Sequence, residues 1–167
     1  MVYLVTEQLV LDSTAIDKNL LSANLKPSII TAQKINVSTI CGDKLINKIY
    51  SDIENNTLTG NYRKLVDDYL SDVTIYATLY HASTNLLTKF TNRGLQTEFS
   101  ETSTSSDLSV YREVKSDSAN KMQFFAARAN KWLYQNRNLF PEYEICGSDD
   151  GTMQANANSP FFGGLVL

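Results

Sequence analysis

The clearest hydrophobic pattern in the chain lies between Asn61 and Leu87. Apolar and aromatic residues recur there at steps of three and four, which predicts an amphipathic helix with one buried stripe. The stripe consists of Tyr62, Leu65, Val66, Tyr69, Val73, Tyr76, Ala77 and Tyr80, whereas Arg63, Lys64, Asp67, Ser71, Asp72 and Thr78 are expected to face water. At about 1.5 Å per residue, such a helix is roughly 40 Å long. We therefore expect a central strut against which other helices pack.

Two further segments have helical periodicity. Residues 28–54 follow Pro27, and Gly42 within them predicts either one kinked helix or two helices. A third helix is predicted to begin at Asp107 and to end near Gln135. Its stripe consists of Tyr111, Val114, Ser118, Met122, Phe125, Ala126, Ala129, Trp132 and Leu133. Together these patterns predict a mainly α fold, a bundle of about three to four helices.

The remaining segments predict extended structure. Residues 1–15 alternate partially and are rich in β-branched residues, which favours an extended N-terminal arm or an edge strand. Residues 88–99 alternate on both sides of the turn Asn92-Arg93-Gly94, which predicts a small β-hairpin. The predicted organisation is thus an N-terminal arm (1–15), a helical domain (16–146) that carries the hairpin, and an extended C-terminal tail (147–167).

The C-terminal tail differs in composition from the rest of the chain. It is rich in Gly, Asn, Ser and Asp, and its last apolar residues are Phe161, Phe162, Leu165, Val166 and Leu167. A polar linker that leads to an exposed apolar segment is unfavourable for an isolated monomer. Two alternatives follow: the segment docks on a neighbouring subunit or partner, or it folds back onto its own core.

Composition excludes some functional classes. Hydrophobic residues make up 43% of the 167 residues, which is enough for a packed core. A net charge of −3 and a pI near 5.1 argue against a general nucleic-acid binder, which would present a basic face. The first residues lack the basic and apolar regions of a signal peptide, and no stretch approaches the ~20 apolar residues of a membrane span.

No arrangement of reactive residues predicts an enzyme. Cys41 and Cys146 lack metal-ligand spacing and are interpreted as free thiols, and the single histidine, His81, has no triad context. Asp67, Asp68 and Asp72 form an acidic cluster that we interpret as a solvated or interface face. Residues 148–152 resemble a calcium loop only superficially. We expect no catalytic, cofactor or metal residues and no cofactor.

Three segments resemble a known family when they are taken together. They are ITAQKINVSTICGDKLINKIYSDI, KLVDDYLSDVTIYATLYHAS leading into LLTKFTNRGLQTEF, and YREVKSDSANKMQFFAARANKWLYQN followed by FPEY. In this order they resemble the small helical ring proteins at the head-to-tail junction of tailed bacteriophages, particularly crAss-like phages infecting Bacteroidota. The resemblance covers about residues 16–145, and its most specific parts are the AQ…GD(K)L…Y run, the TNRG turn and the helix that ends before FPEY.

The resemblance implies a virion structural protein. Such a connector forms a ring of about twelve copies below the portal, extends the DNA channel and docks neck and tail proteins. It is assembled in the host cytoplasm, binds no membrane, and lets genomic DNA pass without specific binding. The interface residues expected from this role are Phe90, Asn92, Arg93, Gly94, Leu95 and Phe99 of the hairpin, with Phe161, Phe162, Leu165, Val166 and Leu167 of the tail.

Two alternative functions remain open from the sequence. One is a tail-completion or tail-terminator protein, which would bind the tail tube instead of the portal. The other is a small cytoplasmic helical protein that regulates or binds a ligand. The identity of the neighbouring genes would distinguish these hypotheses, because adjacent portal and capsid genes favour the connector.

Overall fold

The structure is a computed structural model that describes residues 2–14, 25–91, 94–97 and 108–143. Its described part is mainly helical, as the periodicity predicts. Helix α1 spans Glu7–Ser13, α2 spans Lys26–Ala32, α3 spans Ser38–Glu54, α4 spans Gly60–Leu65, α5 spans Ser71–Leu87 and α6 spans Leu108–Gln135. Strands β1 (Thr88–Thr91) and β2 (Gly94–Thr97) follow α5, and a 3-10 turn, Arg137–Leu139, follows α6.

The described residues form three long helical rods: the first rod is residues 26–54, the central rod is residues 60–87 and the last rod is α6. The first rod and the central rod each contain a π-helical segment. Residues Gln33–Val37 join α2 to α3, and Val66–Leu70 join α4 to α5. In each case the serine that follows donates its backbone N–H to the carbonyl five residues earlier, Ser38 to Gln33 and Ser71 to Val66. Each serine hydroxyl also donates to the same carbonyl, at 3.1 and 2.8 Å. These paired bonds hold the wider turns.

The predicted kink in the first rod is confirmed. Gly42 lies inside α3 with φ 73° and ψ 161°, a conformation that a residue with a side chain rarely adopts. The ends of the central rod also agree with the prediction, since a helix was predicted from Asn61 to Leu87 and the helical run extends from Gly60 to Leu87. The last rod ends at Gln135, as expected.

The main core lies between the three rods. It is formed by Val37, Ile40, Cys41, Leu45, Ile46, Ile49, Leu65, Val66, Leu70, Val73, Ala126, Ala129 and Leu133, and Leu4, Phe140 and Tyr143 extend it. At typical transfer energies, each fully buried leucine or isoleucine contributes about 1.5–3 kcal/mol. The rods are therefore fixed relative to one another mainly by this shared apolar contact.

The prediction of an extended N-terminal arm is wrong for residues 7–13, which form α1. Thr6 caps this helix, because its hydroxyl accepts the backbone N–H of Leu9 at 3.2 Å. Val10 and Leu11 are buried with Ile29 and Ile75 in a second apolar cluster. Adjacent rather than alternating residues are thus buried, which fits a helix lying on the bundle better than a strand.

The segment before α1 is tied to the first rod by one polar side chain. Gln33 accepts the backbone N–H of Leu4 at 2.9 Å and donates its amide to the carbonyl of Val2 at 3.1 Å. The same amide donates to the Tyr50 hydroxyl at 3.3 Å. Because Gln33 is buried, these bonds satisfy polar groups that would otherwise be costly to desolvate. The N-terminal residues are part of the bundle.

Two residues differ in burial from what the helical pattern predicts. Thr78 was expected in water but is fully buried, and its hydroxyl donates to the carbonyl of Thr74 at 2.7 Å. A threonine that bonds within its own helix can be buried without a polar partner elsewhere. Val114 was expected in the core but is 48% exposed. It lies one turn before Ser118, which belongs to the same predicted stripe and is fully buried.

The strands after the central rod pair antiparallel. Phe90 lies opposite Leu95 and Thr91 lies opposite Gly94 in the register. Strand β1 follows Leu87 directly, so that the pair continues from the end of α5.

Candidate functional site

A row of tyrosines follows the seam between the central rod and α6. Tyr62, Tyr69 and Tyr76 are spaced by seven residues and Tyr80 continues the row, which places all four on one side of the helix. Each is half-buried rather than fully buried. We call these four residues the tyrosine ladder. A half-buried aromatic row has one side for packing and another for contact with solvent or a partner.

The inner side of the ladder packs on aromatic residues of α6 and of the chain that follows it. Tyr69 stacks on Trp132, with ring centroids 4.6 Å apart, and Tyr76 stacks on Phe125 at 5.3 Å. Tyr62 meets Phe140 edge-on at 5.1 Å. Aromatic pairs of this kind contribute about 0.5–1.5 kcal/mol beyond the area they bury. They therefore fix α6 against the central rod.

Tyr62 is also held by a carboxylate. Its hydroxyl donates to Glu142 at 2.7 Å, which ties the chain beyond α6 to the start of the central rod. Burial, helped by the Glu142 hydrogen bond, raises the pKa of Tyr62 to about 12. The phenol is thus a hydrogen-bond donor and not an acid at neutral pH.

Cations lie over the tyrosine rings. The Arg128 guanidinium carbon is 4.9 Å from the centre of the Tyr69 ring, and Lys115 Nζ is 5.1 Å from that of Tyr80. Lys121 and Lys48 stand at 5.7 and 5.8 Å over Tyr76 and Tyr62. Such contacts contribute about 0.5–1 kcal/mol at exposed sites. The seam therefore combines aromatic faces with positive charge.

Beside the ladder lies an open groove of about 380 Å³ on the outer face of α6. It is lined by Tyr69, Phe124, Ala127, Arg128, Lys131, Trp132 and Gln135, and we call it the Phe124 groove. Phe124 is 67% exposed, the largest exposed fraction among the big apolar side chains that the structure describes. The groove volume is at the lower end of the range of about 300–1,000 Å³ that is typical of ligand pockets. It is suited to one or two apolar side chains.

The acidic cluster is divided between separate contacts. Asp67 pairs with Arg63 on its own helix at 3.3 Å, and both side chains are exposed. Asp72 reaches Arg128 of α6 at 3.6 Å. Burial raises the pKa of the Asp72 carboxyl, the Arg128 charge lowers it, and Asp68 raises it again. These contacts make Asp72 a link between two helices of the same chain, whereas the sequence predicted a solvated face or a contact between subunits.

His81 takes part in a polar contact between all three rods. Its Nε2 is 3.0 Å from Asn36 Oδ1, and the Asn36 amide donates to the Met122 sulfur at 3.2 Å. Because Asn36 Oδ1 can only accept, Nε2 carries the proton in this contact. Asn36 is buried and lies on the first π-helical segment. The histidine therefore has a structural role, and the sequence did not reveal its buried partner.

Lowering the pH below 6.5 is expected to destabilise the protein through His81. Burial, with a smaller effect of the Lys115 charge, lowers the pKa of His81 below its ordinary value of 6.5. The unfolded chain then binds more protons than the folded one, so stability is lost as the pH falls from the unfolded pKa through the folded pKa. Urea unfolding at pH 8 and pH 5 should show a larger loss in the wild type than in His81→Gln, whose amide can still donate to Asn36. An NMR midpoint of the only histidine at or above 6.5 would contradict this expectation.

The sequence-predicted interface residues fall partly within the described chain. Phe90, Gly94 and Leu95 lie in the paired strands, which bring Phe90 and Leu95 into register. Asn92, Arg93 and Phe99 lie outside the described residues, as do Phe161, Phe162, Leu165, Val166 and Leu167.

Sequence reasoning missed Phe124, Arg128 and Lys131 as surface features. A signal for Phe124 was present, because it is a large aromatic residue that the predicted apolar stripe of α6 does not include. Phe125 was assigned to the stripe, which leaves Phe124 as a large aromatic on a polar face.

The remaining residues considered for a reactive or metal-binding role are either buried and unreactive or lie outside the described residues. Cys41 is a buried free thiol, as predicted, and burial raises its pKa well above the ordinary value. Residues 148–152 and Cys146 fall outside the described chain. Where the structure describes the chain, no group of three or more His, Cys, Asp and Glu side chains could hold a metal ion. None of the helices in these ranges has the length and hydropathy needed to cross a membrane.

These features define a mainly helical bundle protein with an aromatic and cationic surface along one helix seam. A family model described as "Family of unknown function (DUF6712)" matches residues 37–152. Since this match covers more than half of the chain, the chain belongs to the DUF6712 family. No curated protein and no solved structure matches the chain.

Proposed function

We propose that this protein is a structural subunit of the head-to-tail connector of a tailed bacteriophage. It forms a ring of about twelve copies below the portal, extends the DNA channel and docks neck and tail proteins. The proposal starts from the resemblance of residues 16–145 to the ring proteins of crAss-like phages. It includes no catalytic step and no cofactor, and it places the protein in the virion after assembly in the host cytoplasm.

The observation that supports this role best is the direct continuation of the central rod into the strand pair. Residues Gly60–Leu87 are helical throughout and Thr88 begins β1 without a connecting loop. An isolated two-stranded hairpin is marginally stable, so it gains from a partner surface. A rigid rod that ends in such a pair suits a subunit that contacts its neighbour in a ring. In this proposal the contact is made by Phe90, Leu95 and the TNRG turn.

The body of the protein is also suited to a mechanical role. Its three rods share one apolar core, and the tyrosine ladder fixes α6 against the central rod. Close-packed interiors of this kind resist deformation, as a portal ring requires. The net charge of −3 would let DNA pass through a channel without strong attachment.

Imaging of the virion tests the proposal. Electron microscopy of purified particles should show a ring of about twelve copies below the portal that fits this fold. Native mass measurement of the recombinant chain should give the same copy number if the ring forms without the portal. A virion whose neck lacks this chain would refute the connector role, and a position at the tail tube would favour a tail-completion protein.

A pair of hairpin variants tests the proposed contact. Phe90→Ser with Leu95→Ser is expected to abolish ring assembly while the circular dichroism of the helices is retained. Lys89→Ser with Gln96→Ser is the matched control, because these residues form the adjacent pair in the register. Equal assembly of both double variants would show that the hairpin does not join the subunits.

A further inference from the structure

The Phe124 groove is an apolar surface with a cationic edge. Its floor contains Tyr69 and Trp132, and its outer side carries Phe124, Arg128 and Lys131. Arg128 lies over the Tyr69 ring and 3.6 Å from Asp72, so that its position beside the groove is fixed. A suitable occupant therefore combines aromatic or aliphatic side chains with negative charge nearby.

The charges of the chain are distributed unevenly, and two of the cations of α6, Arg128 and Lys131, line the Phe124 groove. Helix α6, residues 108–135, contains five cations (Arg112, Lys115, Lys121, Arg128, Lys131) and two carboxylates (Glu113, Asp117), a balance of +3. Residues 144–167 contain three carboxylates (Glu144, Asp149, Asp150) and no lysine or arginine, a balance of −3. Opposite charges on two segments of one chain favour their association.

The described chain ends close to the groove. The backbone N–H of Tyr143 donates to the carbonyl of Phe140 at 3.0 Å, and the Phe140 ring lies 5.7 Å from that of Trp132 on the groove floor. Residues 144–160 then lead to Phe161. At about 3.3–3.6 Å per residue their maximal extended length is roughly 55–60 Å, so the distance from Tyr143 to the groove is within reach.

We propose that the segment Pro160–Leu167 binds in the Phe124 groove of its own chain. Phe161 and Phe162 pack against Phe124, Tyr69 and Trp132, while the acidic residues before them lie near Arg128 and Lys131. The short tether raises the effective concentration of the segment at the groove to about the millimolar range. This contact is a property of the single chain and is independent of the proposed role in a virion.

A second groove of similar size is less suited to this segment. It is about 390 Å³ in volume and is lined in part by Val114, Glu113 and Asp117. Its lining carries two carboxylates and one cation, Lys121, whereas the lining of the Phe124 groove carries two cations and no carboxylate. The resulting acidic character disfavours a segment that carries only negative charges. This groove therefore provides the control position.

Fluorescence of the only tryptophan tests the proposal, because Trp132 lies on the groove floor. The full chain is compared with Phe161→Ala/Phe162→Ala and with Phe124→Ala, an exposed position whose replacement leaves the core intact. Both variants are expected to shift the emission to the red and to raise the acrylamide quenching constant about twofold, since one face of a half-buried indole loses its cover. Val114→Ala, in the second groove, is expected to leave both quantities unchanged.

Two outcomes would overturn the proposal. Emission and quenching in Phe161→Ala/Phe162→Ala equal to those of the full chain would show that the segment does not cover Trp132. A quenching constant of the full chain that rises on dilution would assign the segment to a second copy instead of its own chain. Quenching that is independent of concentration, together with the shifts above, supports the contact within one chain.

Discussion

Replacing Leu70 with alanine is expected to lower the free energy of unfolding by about 2–5 kcal/mol, the usual range for a fully buried leucine. Leu70 has no solvent exposure and ends the second π-helical segment of the central rod, in contact with the main core. The widened turn is held by Ser71, so the backbone cannot easily close the cavity. For a chain of this size, the melting temperature should fall by about 4–20 °C.

Leu139→Ala is the matched control for this experiment. The substitution removes the same atoms, but Leu139 is 44% exposed in the turn after α6. Surface substitutions of this kind usually change stability by less than about 0.5 kcal/mol. Urea unfolding of both variants measures the difference. A Leu70→Ala protein as stable as Leu139→Ala would mean that the central rod does not bury this face.

Replacing Gly42 is expected to have a comparable effect for a different reason. Its φ of 73° and ψ of 161° lie in a region that is essentially restricted to glycine, and the residue is buried. A side chain there adds about 1–3 kcal/mol of backbone strain and about 1–3 kcal/mol of overpacking. Gly42→Ala should therefore destabilise the protein by about 2–6 kcal/mol, as measured by urea unfolding.

Asparagine substitutions at two glycines separate the backbone effect from a general sensitivity to glycine replacement. Gly60 has φ 58° at the start of α4, and a Cβ there would meet no atom within 4 Å. Asparagine tolerates this left-handed conformation, so Gly60→Asn should cost less than about 1 kcal/mol. Asparagine does not tolerate the conformation of Gly42, so Gly42→Asn should lower the free energy of unfolding as much as Gly42→Ala does. Equal effects at both glycines would contradict this explanation.

The long helices could be predicted from the sequence because their cause is local. A run of apolar residues at steps of three and four leaves one stripe that must be buried, whatever covers it. The central rod and α6 therefore end within a residue of the predicted positions, at Gly60–Leu87 and Leu108–Gln135. The kink at Gly42 follows equally from the one residue type that permits it.

The N-terminal helix and several buried positions could not be predicted in this way. Residues 7–13 are too few to show a period, and their burial depends on Ile29 and Ile75 from two other helices. Thr78 has a polar side chain, and only its bond to the carbonyl of Thr74 makes burial inexpensive. Asn36 and His81 are 45 residues apart in the chain, so nothing local joins them.

The candidate site also combines features that local sequence predicts with features that depend on tertiary contacts. Phe124 could have been noticed, because it is a large aromatic residue that lies off the predicted apolar stripe of α6. The groove itself depends on Tyr69 and Trp132, which come from different rods and stack at 4.6 Å. The cations over the tyrosine ladder likewise come largely from α6.

By itself, the sequence determined a mainly helical protein, the positions of its long helices and the break in the helical run at Gly42, because each of these depends on residues within a few turns of one another. The tertiary structure alone decided which polar residues are buried, how the first residues fold onto the bundle, and where aromatic and cationic side chains meet. Those features require contacts between residues far apart in the chain, and the free energy of such contacts becomes favourable only when the rods share one core.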